Sequence, residues 1–217
     1  MPNKKYYFLL IIFICVFNFI KVNSYNMPLK GKIIYLDPGH GGVDGGATYK
    51  DIVEKDINLE ICYELMSELE NKGATVYMTR YDDYDLSVVG ASFRKRSDLY
   101  NRVKIINNSG ADMYISIHLN SLESSRWNGV QIFYDDINEQ NKVIAQTIKD
   151  SFKSKRDISI INNKYMYNKI KIPGVLVELG FLSNSIDREI ILNQTKRKYL
   201  IQNIVRGVIK YYSDNVK

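Results

Sequence analysis

Hydrophobic and polar positions alternate along this chain in two different rhythms. Lys32–Leu36 (KIIYL) and Ala74–Thr79 (ATVYMT) are short runs rich in β-branched and aromatic residues, which predicts strands. Met113–Ile117 (MYISI), Gly129–Tyr134 (GVQIFY) and Val175–Leu179 (VLVEL) read the same way, with a further short strand at Ile158–Ile161. Between them the period lengthens. Ile57, Ile61, Leu65 and Leu69 recur every four residues within Val53–Asn71, with Cys62 and Met66 widening the stripe, and Gly73 stops the predicted helix. Ala91–Asn108 is a basic helix with Leu99, Val103 and Ile106 inward. Helices are also predicted at Asn138–Phe152, near Ile186–Asn193 and at Lys196–Tyr212.

Strands alternating with helices specify an α/β fold: a mostly parallel central sheet with helices on both faces. No repeat or low-complexity linker divides the chain, so one domain is expected from residue 28 to 217. The first 24 residues stand apart. Lys4 and Lys5 precede an apolar run from Tyr6 to Ile20, followed by Val22-Asn23-Ser24. This is the layout of a secretory signal peptide, with an uncleaved membrane anchor as the alternative. Either form places the domain outside the cytoplasmic membrane.

Removal of residues 1–24 takes away Lys4, Lys5 and Lys21 and no acid, so the formal net charge of +6 falls to +3. A nucleic-acid-binding reading then loses its main support. Only Cys62 of the two cysteines remains, which leaves no internal disulfide and reads as a small buried hydrophobe.

Candidate chemistry gathers where such sheets place it, beyond the carboxyl ends of the strands. His40 follows the first strand, His118 directly follows MYISI, and Glu178 lies near the end of VLVEL. Glu54 opens the first long helix, so all four can meet on one rim. The chain has no other histidine. Each alone reads equally as a polar cap or a bonded core residue. Two on one rim suit a zinc site, in which two imidazoles and a carboxylate leave a fourth position for water. Glu178, a carboxylate on an apolar strand, is either half of a structural ion pair or a general base.

Gly39–Gly46 (GHGGVDGG) lacks the G-x-G-x-x-G dinucleotide pattern, because Asp44 stands at its third glycine position. Its glycines instead let the backbone turn around His40. Asp44 either orients His40 or caps the turn. Arg80, at the end of a strand, and Asn120, two residues past His118, are candidate substrate contacts. Arg94, Lys95 and Arg96 read as a solvated face, and Trp127 as a loop aromatic able to stack on sugar.

These motifs match a known family. Leu36-Asp37-Pro38-Gly39-His40-Gly41-Gly42, with Asp44, Gly45 and Ala47, resembles the opening motif of the zinc-dependent N-acetylmuramoyl-L-alanine amidases of the Amidase_3 type. Glu54–Leu59 (EKDINL), Ser116–Asn120 (SIHLN) and Val177–Asn184 (VELGFLSN) resemble its second, third and fourth motifs, in the family order. Leu119 stands where many relatives carry alanine. The resemblance implies one zinc ion held by His40, Glu54 and His118, with Glu178 catalytic. It implies hydrolysis of the amide between N-acetylmuramic acid and the L-alanine of the peptidoglycan stem peptide. A short, signal-bearing, single-domain form further resembles amidases that process spore-cortex peptidoglycan ahead of muramic-δ-lactam formation. The competing expectations are a zinc peptidase or deacetylase, or a wall-binding domain without catalysis. Whether an activating protein partner is needed is left open by the sequence.

Overall fold

A computed structural model describes residues 27–153, 157–161 and 166–214. The predicted export segment, residues 1–24, lies outside the described residues. Its elements, in chain order, are β1 (Ile33–Pro38), a small hairpin of β2 (Thr48–Tyr49) and β3 (Ile52–Val53), α1 (Glu54–Glu70), β4 (Thr75–Met78), α2 (Arg94–Asn107) and β5 (Met113–Asn120). There follow β6 (Gln131–Tyr134), α3 (Glu139–Ser151), β7 (Ser159–Ile160), β8 (Gly174–Phe181), α4 (Ser185–Leu192) and α5 (Gln194–Asp214).

Six strands form one sheet in the order β4-β1-β5-β8-β6-β7. Pairs β1–β4, β1–β5 and β5–β8 are parallel, whereas β6 runs antiparallel to β8 and carries β7 parallel to itself. The mostly parallel sheet is therefore as expected, with two reversed strands at one edge. The reversal has a local cause. Only residues 121–130 separate β5 from β6, with no helix among them, and a parallel return needs a longer crossover.

Period-2 alternation sorts the strand residues between two cores. Ile34, Leu36, Ile115, Ile117, Val175 and Val177 face a layer built from α1, α3 and α5, including Ile61, Leu65, Ile148, Ile204 and Val208. Each such fully buried aliphatic side chain contributes roughly 1.5–3 kcal/mol. Tyr35, Tyr114 and Leu176 face the other way, toward Val103 and Ile106 of α2 and the segment around Tyr167. Helices thus cover both faces.

Two strands outrun their sequence bounds. β5 continues through His118 to Asn120, and β8 through Glu178 to Phe181, because the two strands pair with each other along this stretch. His118 is therefore part of its strand and does not merely follow it, and Glu178, within its strand as expected, is its register partner.

Candidate metal centre

The loop that leaves β1 is held against β5 by the Gly39 N–H, which donates to the Ile117 carbonyl at 3.0 Å. The approach is close. A Cβ built on Gly39 would sit 2.3 Å from the His118 ring, so only glycine fits there. His40 comes next with φ of 63°, a left-handed conformation that is sparsely populated without a reason. That twist turns its ring back over the strand ends. The His40 and His118 ring centroids lie 4.9 Å apart, at 78° to each other.

Glu54 sits between them. It is the first residue of α1, where the helix dipole favours a negative charge, and it is buried. Its Oε1 lies 3.0 Å from His118 Nδ1 and 3.2 Å from His40 Nε2, and accepts from the Leu119 N–H at 3.0 Å. Oε2 accepts from the Ala47 N–H at 2.8 Å. Burial alone would raise the carboxyl's pKa. The hydrogen bonds and charges of His118 and His40 outweigh it and hold Glu54 far below the usual carboxylate range. His40 responds in kind: burial pulls its pKa down, but Glu54 and Asp44 carry it above the usual histidine value.

His40, Glu54 and His118 offer ligand atoms that all lie within 4.8 Å of one another. Zinc bonds of 2.0–2.1 Å in a tetrahedron require donor separations of about 3.3 Å. The two Glu54–histidine separations are already close to that, so two imidazoles and a carboxylate fit such an ion. Each histidine also has its remote nitrogen held. His40 Nδ1 meets Asp44 Oδ2 at 3.1 Å, and His118 Nε2 meets the Tyr167 hydroxyl at 3.3 Å. Asp44 serves the turn as well, accepting from the Gly46 N–H at 3.3 Å.

Glu178 lies beside His118 as its register partner in the adjacent parallel strand, about 4.8 Å away between backbones. It is buried, and it lines the same cleft of about 310 Å³ as the three metal candidates. Lys95 reaches over the rim of that cleft from an exposed position, 3.2 Å from Asp44. The Arg94–Lys95–Arg96 run is otherwise the solvated face expected of it, with Arg94 on Asp85 at 2.7 Å.

Arg80 requires correction as a candidate substrate contact. It is fully buried, and its guanidinium donates to the carbonyls of Pro38, Gly39, Lys55 and Asp82 at 2.7–3.1 Å. Its fork ties the His40 loop to α1 and does not face the cleft. Asn120 is half-buried at the end of β5, donating to Gln131 Oε1 at 3.0 Å and accepting from the Ser121 N–H at 2.8 Å. Trp127 is exposed in its loop, and Cys62 is a buried free thiol.

A buried polar network beneath the site was not anticipated. Asp37 accepts from Thr79 Oγ1 at 2.6 Å, Ser116 Oγ at 2.8 Å and Arg102 Nη1 at 2.7 Å. Arg102 also donates to Asp98 at 2.9 Å and to the Pro38 and His40 carbonyls. Burial would raise Asp37, but Arg102 and the hydroxyl donors hold it below the usual carboxylate range. The sequence signal was present: Asp98 and Arg102 stand four apart on α2. It was masked by the neighbouring charges of a helix that reads as solvated. Tyr167, one of 17 tyrosines and outside any predicted element, carried no signal at all.

The chain is similar to proteins of known family. Residues 34–210 match the Amidase_3 family, described as N-acetylmuramoyl-L-alanine amidase. The chain is 38% identical over 218 residues to the germination-specific N-acetylmuramoyl-L-alanine amidase of Bacillus subtilis (strain 168), covering 95% of this chain and 92% of the relative. It is 37% identical over 194 residues to the probable cell wall amidase LytH of Staphylococcus aureus, covering 86% of this chain and 60% of that protein. The CwlD amidase from Clostridioides difficile, solved in complex with the GerS lipoprotein, superposes with a TM-score of 0.80 at 36% identity, over 85% of this chain and all of that one. The chain therefore belongs to the Amidase_3 family, and it is an N-acetylmuramoyl-L-alanine amidase.

Proposed function

We propose that this amidase is zinc-dependent, that His40, Glu54 and His118 hold the ion, and that Glu178 is its general base. The observation that carries the reading is the His40–Glu54–His118 cluster with Glu178 in register beside it. Zinc so held supplies Lewis acidity, polarising the scissile carbonyl and acidifying water at the site. Glu178 takes the proton from the attacking water and delivers it to the departing L-alanine nitrogen. Asp44 keeps the His40 ring turned inward, and the buried Glu54 stays ionised against its two histidines. The bond cut joins the lactyl group of N-acetylmuramic acid to the stem peptide.

The place of action follows from two supports. Lys4, Lys5 and the apolar run after them have the layout of an export signal. The names of the relatives refer to germination and to the cell wall. The reading is thus an exported amidase that processes spore-cortex peptidoglycan. A protein partner on the same side of the membrane belongs to it, since CwlD was solved with a lipoprotein bound. Among the described residues no helix is long and apolar enough to cross a membrane.

The test is digestion of purified peptidoglycan by the purified chain, with and without zinc and with candidate partners, followed by mass spectrometry. Intact stem peptides bearing a free L-alanine amine are expected, together with about one zinc per chain. Internally cut peptides or released acetate would overturn the assignment. For the cortex role, spores of a strain lacking the chain should lose muramic-δ-lactam; unchanged cortex muropeptides would remove that part.

A further inference from the structure

We propose that Tyr167 is a positioning residue that fixes the tautomer of His118, and through it the metal affinity of the site, by a one-way hydrogen-bond relay ending on Asp37. This role presupposes that His118 ligates the metal.

The direction of the relay is set at its buried end. Asp37 is 1% exposed and receives Arg102, Thr79 and Ser116 at once. A carboxylate in that position only accepts. Ser116 Oγ has a single hydrogen, and it is committed to Asp37 Oδ2 at 2.8 Å. Toward the Tyr167 hydroxyl, 3.1 Å away, Ser116 can then only accept. Tyr167 spends its own hydrogen on Ser116, so toward His118 Nε2, at 3.3 Å, it too can only accept. His118 must therefore carry its proton on Nε2. That leaves Nδ1, the nitrogen that faces Glu54 Oε1 at 3.0 Å, as the one that exchanges its hydrogen bond for a metal.

Period-2 alternation places Ser116 and His118 on one face of β5, and Asp37 is the register partner of Ser116 in β1. Tyr167 comes from a different part of the chain, a short 3-10 turn (Tyr167–Lys169), and is buried over the same face. It packs with Val103, Tyr114 and Leu176, which hold the phenol in place without using its hydroxyl. Packing and hydrogen bonding are thus carried by different atoms of Tyr167, and removing the oxygen alone separates them.

The experiment titrates the metal-free full chain with zinc against a chromophoric chelator, for the wild type, Tyr167→Phe, Ser116→Ala and the double variant. Thermal midpoints of the metal-free forms are measured alongside. Loss of a partner that orients a metal-binding histidine weakens affinity about 10–100-fold. Tyr167→Phe is expected to do so while its metal-free midpoint stays at the wild-type value. Ser116→Ala should weaken binding in the same sense, and the double variant should be no weaker than Tyr167→Phe alone. Wild-type affinity in Tyr167→Phe overturns the proposal, as do additive losses in the double variant or a loss matched by destabilisation of the metal-free form. Should Tyr167→Phe fail to fold, Ser116→Ala decides by the same affinity readout. A wild-type chain that binds no zinc would sink the metal site itself, which is a different result from a Tyr167 variant that binds it normally.

Discussion

At the level of single residues, the site divides into groups placed for a ligand and groups that place them. Glu178 belongs to the first kind. Replacing it with glutamine keeps the size of the side chain and removes its basicity. Turnover of peptidoglycan should fall about 10²–10⁴-fold with the zinc content unchanged. Metal loss together with activity would instead make Glu178 a ligand. Asp37 belongs to the second kind. Removing one partner of a buried ion pair costs about 3–5 kcal/mol, and Asp37→Asn should fall near the lower end because Arg102 keeps Asp98. The pH dependence has a definite sign. Asp37 has a folded pKa below its ordinary value, so its contribution is complete above pH about 3.9 and is lost as the pH falls toward the folded value. Denaturant midpoints of wild type and Asp37→Asn should therefore converge between pH 5 and pH 2. A gap that stays constant through that range would show that the charge of Asp37 contributes nothing. His40, His118 and Glu178 stand out in the sequence because polar residues at strand ends contrast with apolar runs, and Glu54 because it opens a helix just after the glycine-rich loop. Arg80 was misread for the same reason: a strand-end position does not reveal whether a guanidinium faces solvent or caps its own loop.

At the level of elements, helix α5 packs across α3 at Gly207, where an added Cβ would lie 2.5 Å from the Ile148 Cα and 2.8 Å from its Cγ1. Two expectations conflict here. Helix propensity favours alanine over glycine by up to about 1 kcal/mol in a helix interior. Overpacking opposes it, and the neighbouring atom is backbone, which cannot swing aside. Overpacking typically costs 1–3 kcal/mol, so Gly207→Ala should be destabilising by about 1–2 kcal/mol in chemical denaturation, against its propensity. A stabilised variant would show that the two helices separate freely. The periodicities that predicted α3 and α5 contain nothing about this crossing. They report which face of a helix is apolar, whereas the separation of two helices is a property of both sequences at once. The same limit explains the reversed β6: alternation identifies a strand but not its direction, and the short β5–β6 connection becomes decisive only when β8 is known to lie between them.

At the level of the whole molecule, the question is how far the fold depends on the ion. The larger core, on the α1, α3 and α5 side of the sheet, contains none of the metal candidates. Glu54 is also fixed independently of any metal, by the Leu119 and Ala47 N–H groups and by the start of α1. The cluster is therefore built by the fold, not the fold by the cluster, in contrast to small zinc domains that unfold without their metal. Chelation should abolish activity and leave far-ultraviolet circular dichroism unchanged. It should also lower thermal stability, because an ion that binds only the native state stabilises it by mass action. At free zinc about 100 times the dissociation constant that contribution is about 2.7 kcal/mol, or roughly 5–10 °C in the midpoint for a domain of this size. The shift should scale with the logarithm of added zinc and vanish in His40→Ala. Global unfolding on chelation would mean that the ion, and not these hydrogen bonds, holds the cluster and the fold around it together. A midpoint indifferent to zinc would mean that the cluster binds no ion at all.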